Sequence, residues 1–114
     1  MSNRRFCFAL DLVDDAELIA QYERWHAPGA VWPEVIEDIR ARGIVGMEIW
    51  RTGTRMVMVV EADESYPGGQ SQPPRVAEWE ALMSKFQRQI PGTDQAEKWA
   101  PMTKIFALND EARL

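Results

Sequence analysis

The single histidine of the chain, His26, lies between two tryptophans and one helical turn after Tyr22, in the segment QYERWHAPGAVWPE at residues 21 to 34. A histidine side chain ordinarily exchanges protons near neutral pH, so it suits general acid–base catalysis. Tyr22 precedes it by four residues, a spacing that lets a phenol and an imidazole on one helix converge on a ligand. A histidine at a helix end can instead cap that end or interact with its dipole. Position alone leaves both roles open.

Aromatic side chains surround this pair in the sequence. The chain has five tryptophans, and indole faces are flat apolar surfaces that suit the C–H faces of a sugar ring. Any one of these tryptophans is more often found packed in a protein core. The residues alone therefore predict an aromatic pocket around one histidine and leave its ligand open.

The composition narrows the classes of function. With 114 residues, 46% of them hydrophobic and 27% charged, the chain is expected to form one domain, residues 1–114. Its net charge of −5 disfavours nucleic acid as a partner. One cysteine and one histidine argue against a metal site and exclude an internal disulfide, and no cofactor is predicted. No apolar run has membrane-spanning length and the start does not read as a secretory signal, so we expect a cytoplasmic protein with no membrane partner.

Two periodicities alternate along the chain. RRFCFALDLV has the two-residue period of a strand, and DDAELIAQYERWH changes to helical spacing behind a capping box of Asp14 and Glu17. WPEVIEDIRARG predicts a second helix, and IVGMEIWR with RMVMVVEA predicts a hairpin around TGT. Residues 63 to 75 are expected to form an exposed loop, followed by an amphipathic helix from Val76 to Ile90 and a closing strand, MTKIFAL.

This order of elements predicts a ferredoxin-like α+β sandwich, a four-stranded antiparallel sheet with helices on one face. The strand RMVMVVEA is apolar on both faces, because Met56, Met58 and Val60 alternate with Val57 and Val59. Helices can cover only one of these two sets. A second copy of the sheet is the simplest cover for the other, so we expect a homodimer through the sheet face.

Several segments together resemble the L-rhamnose mutarotase family. They are YERWH, WHAPGAVWPE, GMEIWR and WEALM, whereas FALDLVDDAELIAQYE and KWAPMTKIFAL are more similar to its branch assigned to L-fucose and related sugars. The resemblance spans residues 5 to 108. It implies a dimeric α+β barrel and an isomerase that interconverts the α and β anomers of a deoxyhexose such as L-fucose or L-rhamnose, without a cofactor.

The resemblance also implies roles for individual residues. His26 corresponds to the proton donor of the family, and Tyr22 to a substrate-binding tyrosine. Trp79 is the first member of a tryptophan pair that lines the family's pocket, and Glu80 replaces the second member. A pocket tyrosine of the family falls on Met47 here.

Two further tryptophans complete the expected site. An aromatic residue three positions after Met47 is retained as Trp50. The apolar walls that bind the substrate are expected to be formed by Trp32, Trp50 and Trp79.

Mutarotation requires a proton to reach the ring oxygen while the anomeric hydroxyl loses one. His26 is expected to deliver the proton to the ring oxygen. For the group that accepts the proton of the anomeric hydroxyl, the sequence leaves water, Glu34 and Glu48 as candidates. Glu34 also suits the first turn of a helix, and Glu48 could face solvent or pair with Arg55. The same fold order also hosts small monooxygenases and lactone isomerases, and a binding module without turnover is a further alternative.

Overall fold

The computed structural model describes residues 3–69, 72–94 and 98–111. Its elements follow one another as β1 (Arg4–Leu12), α1 (Ala16–Trp25), α2 (Pro33–Ala41), β2 (Ile44–Thr52), β3 (Arg55–Ala62), α3 (Pro74–Ser84), β4 (Gln87–Arg88), β5 (Ala100–Pro101) and the short α4 (Leu108–Glu111). No helix among these residues is long and apolar enough to cross a membrane.

The sheet confirms the predicted ferredoxin-like architecture. Its strand order is β2-β3-β1-β4, and every pairing is antiparallel. β5 also pairs with β1, so β4 and β5 lie on the same side of that strand. The hairpin of β2 and β3 turns through Gly53, whose positive φ of 58° suits glycine.

Local signals explain where the first two helices begin and end. The Asp15 side chain accepts a hydrogen bond from the Leu18 backbone N–H at 3.0 Å and caps α1, so the predicted capping box of Asp14 and Glu17 is wrong by one residue. Pro33 occupies the first turn of α2. Gly43 follows that helix with φ at 94°, and a Cβ there would lie 2.5 Å from the Ser65 Oγ. Glycine is therefore required at this position.

The core lies between the helices and one face of the sheet. It contains Leu10 and Leu12 of β1, Met56 of β3 and buried side chains from each of the three long helices, including Tyr22, Val35, Val76, Trp79 and Met83. Residues paired across antiparallel strands share a face, so Met47 and Ile49 of β2 lie on this inner face opposite Val60 and Met58.

The opposite, outer face of the sheet contributes no side chain to the helix-packed core of the described residues. Val57 pairs with Trp50 and Val59 with Glu48, and both valines are half-buried in the isolated chain. Trp50 is 64% exposed. As the sequence predicts, the helices cover only one of the two apolar sets of β3.

The third helix is shorter than predicted. It ends at Ser84 rather than at Ile90, and a turn at residues 85 and 86 leads directly into β4. Phe86 remains buried in the core, but its carbonyl accepts a hydrogen bond from the Val13 backbone N–H at 2.9 Å. Pairing with β1 therefore replaces the last helical turns while preserving the burial of the apolar residue.

The predicted closing strand MTKIFAL is also wrong. The strand is limited to β5, and residues 102 to 107 have no regular structure before α4. Ile105 is 95% exposed, and Phe106 and Leu108 are exposed as well. Apolar residues that a sheet partner would cover thus lie uncovered in the isolated chain. Of the predicted loop at 63 to 75, the last two residues belong to α3, and residues 70 and 71 lie outside the described residues.

Candidate active site

A cavity of about 620 Å³ lies between the helices and the inner face of the sheet. Its size is within the range of small-molecule sites. All three long helices and several strands contribute to its lining, which includes Tyr22 of α1, His26 at the end of that helix, Met47 of β2, Trp79 of α3, Gln87 of β4 and Trp99. The structure therefore brings together four of the residues that the sequence nominated.

His26 stands at the C-terminal end of α1, where its ring is held from two sides. Its Nδ1 lies 2.8 Å from the backbone carbonyl oxygen of Tyr22. A carbonyl can only accept, so Nδ1 carries the hydrogen and Nε2 is the nitrogen left to exchange a proton. The ring centroids of Tyr22 and His26 are 4.4 Å apart. The capping role and the chemical role suggested by the sequence are thus compatible in one side chain.

Trp79 forms the other support of the histidine ring. It is 4% exposed, and its ring centroid lies 5.6 Å from that of His26 at an interplanar angle of 72°. Trp25 and Trp32 each pack edge-on against it, at centroid distances of 6.0 and 5.1 Å. This edge-to-face packing fixes the position of the imidazole and makes one wall of the cavity.

The phenol of Tyr22 has a defined hydrogen-bond state. Tyr22 is 4% exposed, and its hydroxyl oxygen accepts a hydrogen bond from the Gln87 Nε2 at 3.1 Å. Burial raises the pKa of Tyr22 above its ordinary value; the bond from Gln87 opposes this rise and the nearby charge of Glu80 adds to it. Tyr22 is therefore a neutral phenol at neutral pH, with its own hydrogen free to be donated to a ligand.

Trp32 and Trp50 do not line this cavity. Trp32 packs behind Trp79, and the Arg75 guanidinium carbon lies 3.6 Å from its ring centroid. Trp50 is on the outer face of the sheet, where its Nε1 donates a hydrogen bond to the Glu48 Oε1 at 3.0 Å. Met47 does line the cavity, because it lies on the opposite face of β2 from Trp50.

The carboxylates considered from the sequence also lie elsewhere. Glu48 is exposed on the outer face, and Glu34 is exposed near Arg75 at 3.9 Å. Arg55 pairs with Asp11 instead of Glu48. Of the carboxylates that do line the cavity, Asp38 is paired with Arg42 and Glu80 with Lys98.

The pairs differ in their surroundings. The Asp38 Oδ2 lies 2.9 Å from the Arg42 Nε, one turn along α2. The Glu80 Oε1 accepts a hydrogen bond at 3.0 Å from the Nζ of Lys98, which lies 18 residues further along the chain. Glu80 thus occupies the cavity where the family resemblance placed a second tryptophan.

Several lining residues were missed by the sequence reasoning, and Gln87 and Trp99 are two of them. Gln87 follows the helix in a segment that the apolar periodicity assigned to α3, and Trp99 lies in a connecting segment. Nothing local marks either residue, since only the pairing of β4 and β5 with β1 brings both segments to this side of the sheet. No group of three or more histidine, cysteine, aspartate or glutamate side chains suited to a metal ion occurs within residues 3–69, 72–94 and 98–111.

Comparison with known proteins identifies relatives over nearly the whole chain. The family model described as L-rhamnose mutarotase matches residues 5–108. The L-fucose mutarotase of Xanthomonas campestris pv. campestris is 48% identical over 115 residues, covering 96% of this chain and 92% of that protein. A UPF0734 protein of Dictyostelium discoideum is 36% identical, covering 93% of this chain and 90% of its own length.

A solved structure shares the fold. The crystal structure of an L-rhamnose mutarotase from Formosa agariphila superposes with a TM-score of 0.67 at 15% identity, covering 91% of this chain and 97% of the other. The relationship to the L-fucose mutarotase, together with the match to the family model, favours a sugar mutarotase over the monooxygenase and lactone isomerase alternatives. The chain therefore belongs to the L-rhamnose mutarotase family of sugar isomerases.

Proposed function

We propose that this enzyme interconverts the α and β anomers of a 6-deoxyhexose, with L-fucose as the first candidate substrate and His26 as the group that moves the ring-oxygen proton. One observation carries the assignment of His26. Its Nδ1 is committed to the Tyr22 carbonyl, so Nε2 is the exchangeable nitrogen in a cavity of sugar-binding size. The 48% identical relative named L-fucose mutarotase supports the choice of sugar.

The proposed reaction needs two proton transfers and no redox change. A proton from the His26 imidazolium goes to the ring oxygen as the bond between that oxygen and the anomeric carbon breaks. The anomeric hydroxyl loses its proton, and an open-chain aldehyde forms. Rotation about the bond next to the aldehyde exposes its other face, and the reverse steps close the ring as the other anomer.

We assign the second proton transfer to Glu80, the cavity carboxylate held by Lys98. A carboxylate accepts the anomeric proton on ring opening and returns it on closure. Tyr22 binds a sugar hydroxyl, and Met47 and Trp79 form apolar surface against the ring. Trp32 supports Trp79 from behind, whereas we assign Trp50 to the outer face described below.

The test is the rate of α/β exchange of L-fucose and L-rhamnose, measured by NMR at equal protein concentration. His26→Gln keeps an amide that can bond the Tyr22 carbonyl but cannot act as an acid or base at neutral pH, so exchange should fall by about 10²- to 10⁴-fold. Gln72→Met, at an exposed position far along the chain, is the control. Exchange by His26→Gln at the unmodified rate would falsify the assignment.

We also propose that the enzyme is a homodimer through the outer face of the sheet. Support comes from the apolar residues of this face, Val57, Val59 and Trp50, and from the exposed apolar segment 102 to 108. Val59→Lys should convert the dimer to a monomer in sedimentation experiments, whereas Ala77→Lys on the exposed side of α3 should leave it intact. A protein that sediments as a monomer without substitution would contradict the proposal. A cytoplasmic location stays a prediction, to be tested by fractionation of the source cells.

A further inference from the structure

Only one of the two polar atoms of the Gln87 side-chain amide has a hydrogen-bond partner among the described residues. Its Nε2 donates to the Tyr22 hydroxyl oxygen at 3.1 Å, but its Oε1 is buried and has no hydrogen-bond partner among the described residues. A buried acceptor without a partner destabilises a folded protein, so such atoms are rare in native structures. The residue also lines the cavity that contains His26.

We propose that Gln87 is a specificity-determining residue whose Oε1 accepts a hydrogen bond from a non-anomeric hydroxyl of the sugar. This inference rests on the function proposed above. It is independent of His26, because it concerns which hydroxyls of the substrate are recognised and not how the anomeric centre reacts.

The argument depends on how the amide and the phenol share their hydrogen-bonding groups. Gln87 already supplies a donor to the Tyr22 oxygen, which leaves the phenolic hydrogen of Tyr22 as a donor and the Gln87 oxygen as an acceptor. A sugar hydroxyl is both a donor and an acceptor. The pair therefore presents complementary groups to one hydroxyl or to two adjacent hydroxyls.

Gln87 is also held firmly enough to discriminate. Its backbone lies in β4 opposite Leu12 of β1, and the preceding Phe86 is buried with its ring centroid 5.8 Å from that of Tyr22. A glutamine that served only to hold Tyr22 would need its Nε2 alone. The buried oxygen needs a partner that the described residues do not supply, and a bound polyol supplies one.

The test combines a near-isosteric variant with sugars that each lack one hydroxyl. Exchange rates are measured by NMR over a range of concentrations for L-fucose and for its 2-deoxy, 3-deoxy and 4-deoxy analogues, with the unmodified enzyme, Gln87→Met and the control Gln72→Met. We expect Gln87→Met to lower kcat/KM for L-fucose about 10- to 100-fold, mainly through KM. For the analogue that lacks the recognised hydroxyl, the unmodified enzyme and Gln87→Met should react equally.

Equal losses with L-fucose and with all three analogues would show a merely structural role and overturn the proposal, as would no loss at all. If Gln87→Met does not fold, the comparison of the unmodified enzyme with Gln87→Glu decides. The unmodified enzyme must discriminate at least about tenfold against one analogue, and that preference must change in Gln87→Glu.

The proposed mutarotation and this inference can fail separately. If the unmodified enzyme accelerates no exchange, the proposed function fails, and binding of the same four sugars is then followed by tryptophan fluorescence. The proposal for Gln87 would be supported if Gln87→Met loses L-fucose binding while one analogue binds equally well to Gln87→Met and to the unmodified protein. Binding of all four sugars with unchanged affinity in Gln87→Met, or no binding of any sugar by the unmodified protein, would overturn it.

Discussion

The hydrogen bond between Tyr22 and Gln87 makes a quantitative prediction about folding that does not depend on catalysis. Tyr22→Phe removes the phenolic oxygen from a side chain that is 4% exposed and leaves the Gln87 Nε2 without its acceptor. Leaving one buried partner unsatisfied costs about 1–3 kcal/mol of the free energy of unfolding. Gln87→Met leaves the Tyr22 hydroxyl without its donor but also removes the buried, unpartnered Oε1, so its net cost should be smaller.

The double variant separates pairing from burial. In Tyr22→Phe/Gln87→Met both polar partners are replaced by apolar groups of similar shape, which is close to neutral in other proteins. The double variant should therefore be no less stable than the weaker single variant. The coupling free energy should be about 1–3 kcal/mol, well above the additivity error of about 0.5 kcal/mol.

Urea unfolding at neutral pH, followed by tryptophan fluorescence, gives the free energy of unfolding of the unmodified protein, the two single variants and the double variant. The cycle of Tyr22→Phe with Gln72→Met is the control, because Gln72 is an exposed glutamine, whereas the amide that bonds the Tyr22 hydroxyl is that of Gln87. This second cycle should be additive. If the Tyr22 and Gln87 substitutions also add within about 0.5 kcal/mol, the two side chains are not coupled in solution and the reasoning about the site is refuted.

Three further predictions concern pH, the backbone and the second proton. Burial raises the pKa of Tyr22 in the folded state, so the neutral phenol contributes stability that is fully present below a pH of about 10 and declines as the pH rises toward the folded pKa. Urea midpoints measured from about pH 8 to 11 should show this decline, and the decline should be smaller in Tyr22→Phe. Gly43→Ala should lower the free energy of unfolding by more than the roughly 1–2 kcal/mol of a left-handed backbone, because its Cβ would lie 2.5 Å from the Ser65 Oγ; an unchanged urea midpoint would contradict this. Glu80→Gln should slow L-fucose exchange at least about tenfold, whereas Glu78→Gln, which alters an exposed carboxylate of the same helix, should not; equal rates for both would remove Glu80 from the reaction.

Much of the fold follows from local patterns. Alternation in β1, helical spacing in α1 and α2, and the glycines at 43 and 53 each specify an element without reference to the rest of the chain. The wrong end of α3 and the wrong closing strand share a cause. Phe86 fits an amphipathic helix as well as it fits a turn, and only its long-range bond to Val13 decides between them. In the same way, MTKIFAL has a strand-like composition, but β5 ends at Pro101 before it, and the pairing with β1 continues only to the bond from the Met102 N–H to the Cys7 carbonyl within the described residues.

The site was predictable only where its members lie close in sequence or match a relative. Tyr22 and His26 follow from a four-residue spacing, whereas Gln87 enters the cavity through strand pairing that the sequence does not reveal. The alternation of β2 does show that Met47 and Trp50 lie on opposite faces. Only one of them can therefore line a cavity of the same chain, and the helices determine which one.

The position of His26 shows why its structural and chemical roles belong together. A free imidazole exchanges its proton between two nitrogens, and a catalyst benefits when one of them is fixed. The last turn of α1 supplies the carbonyl of Tyr22, which binds Nδ1 at 2.8 Å. The same helical turn places the Tyr22 ring 4.4 Å from the imidazole, and Trp79 packs against it. Capping thus selects the tautomer, and aromatic packing limits the motion of the ring. A histidine moved one residue along this helix end would lose both constraints, even with the same cavity beside it.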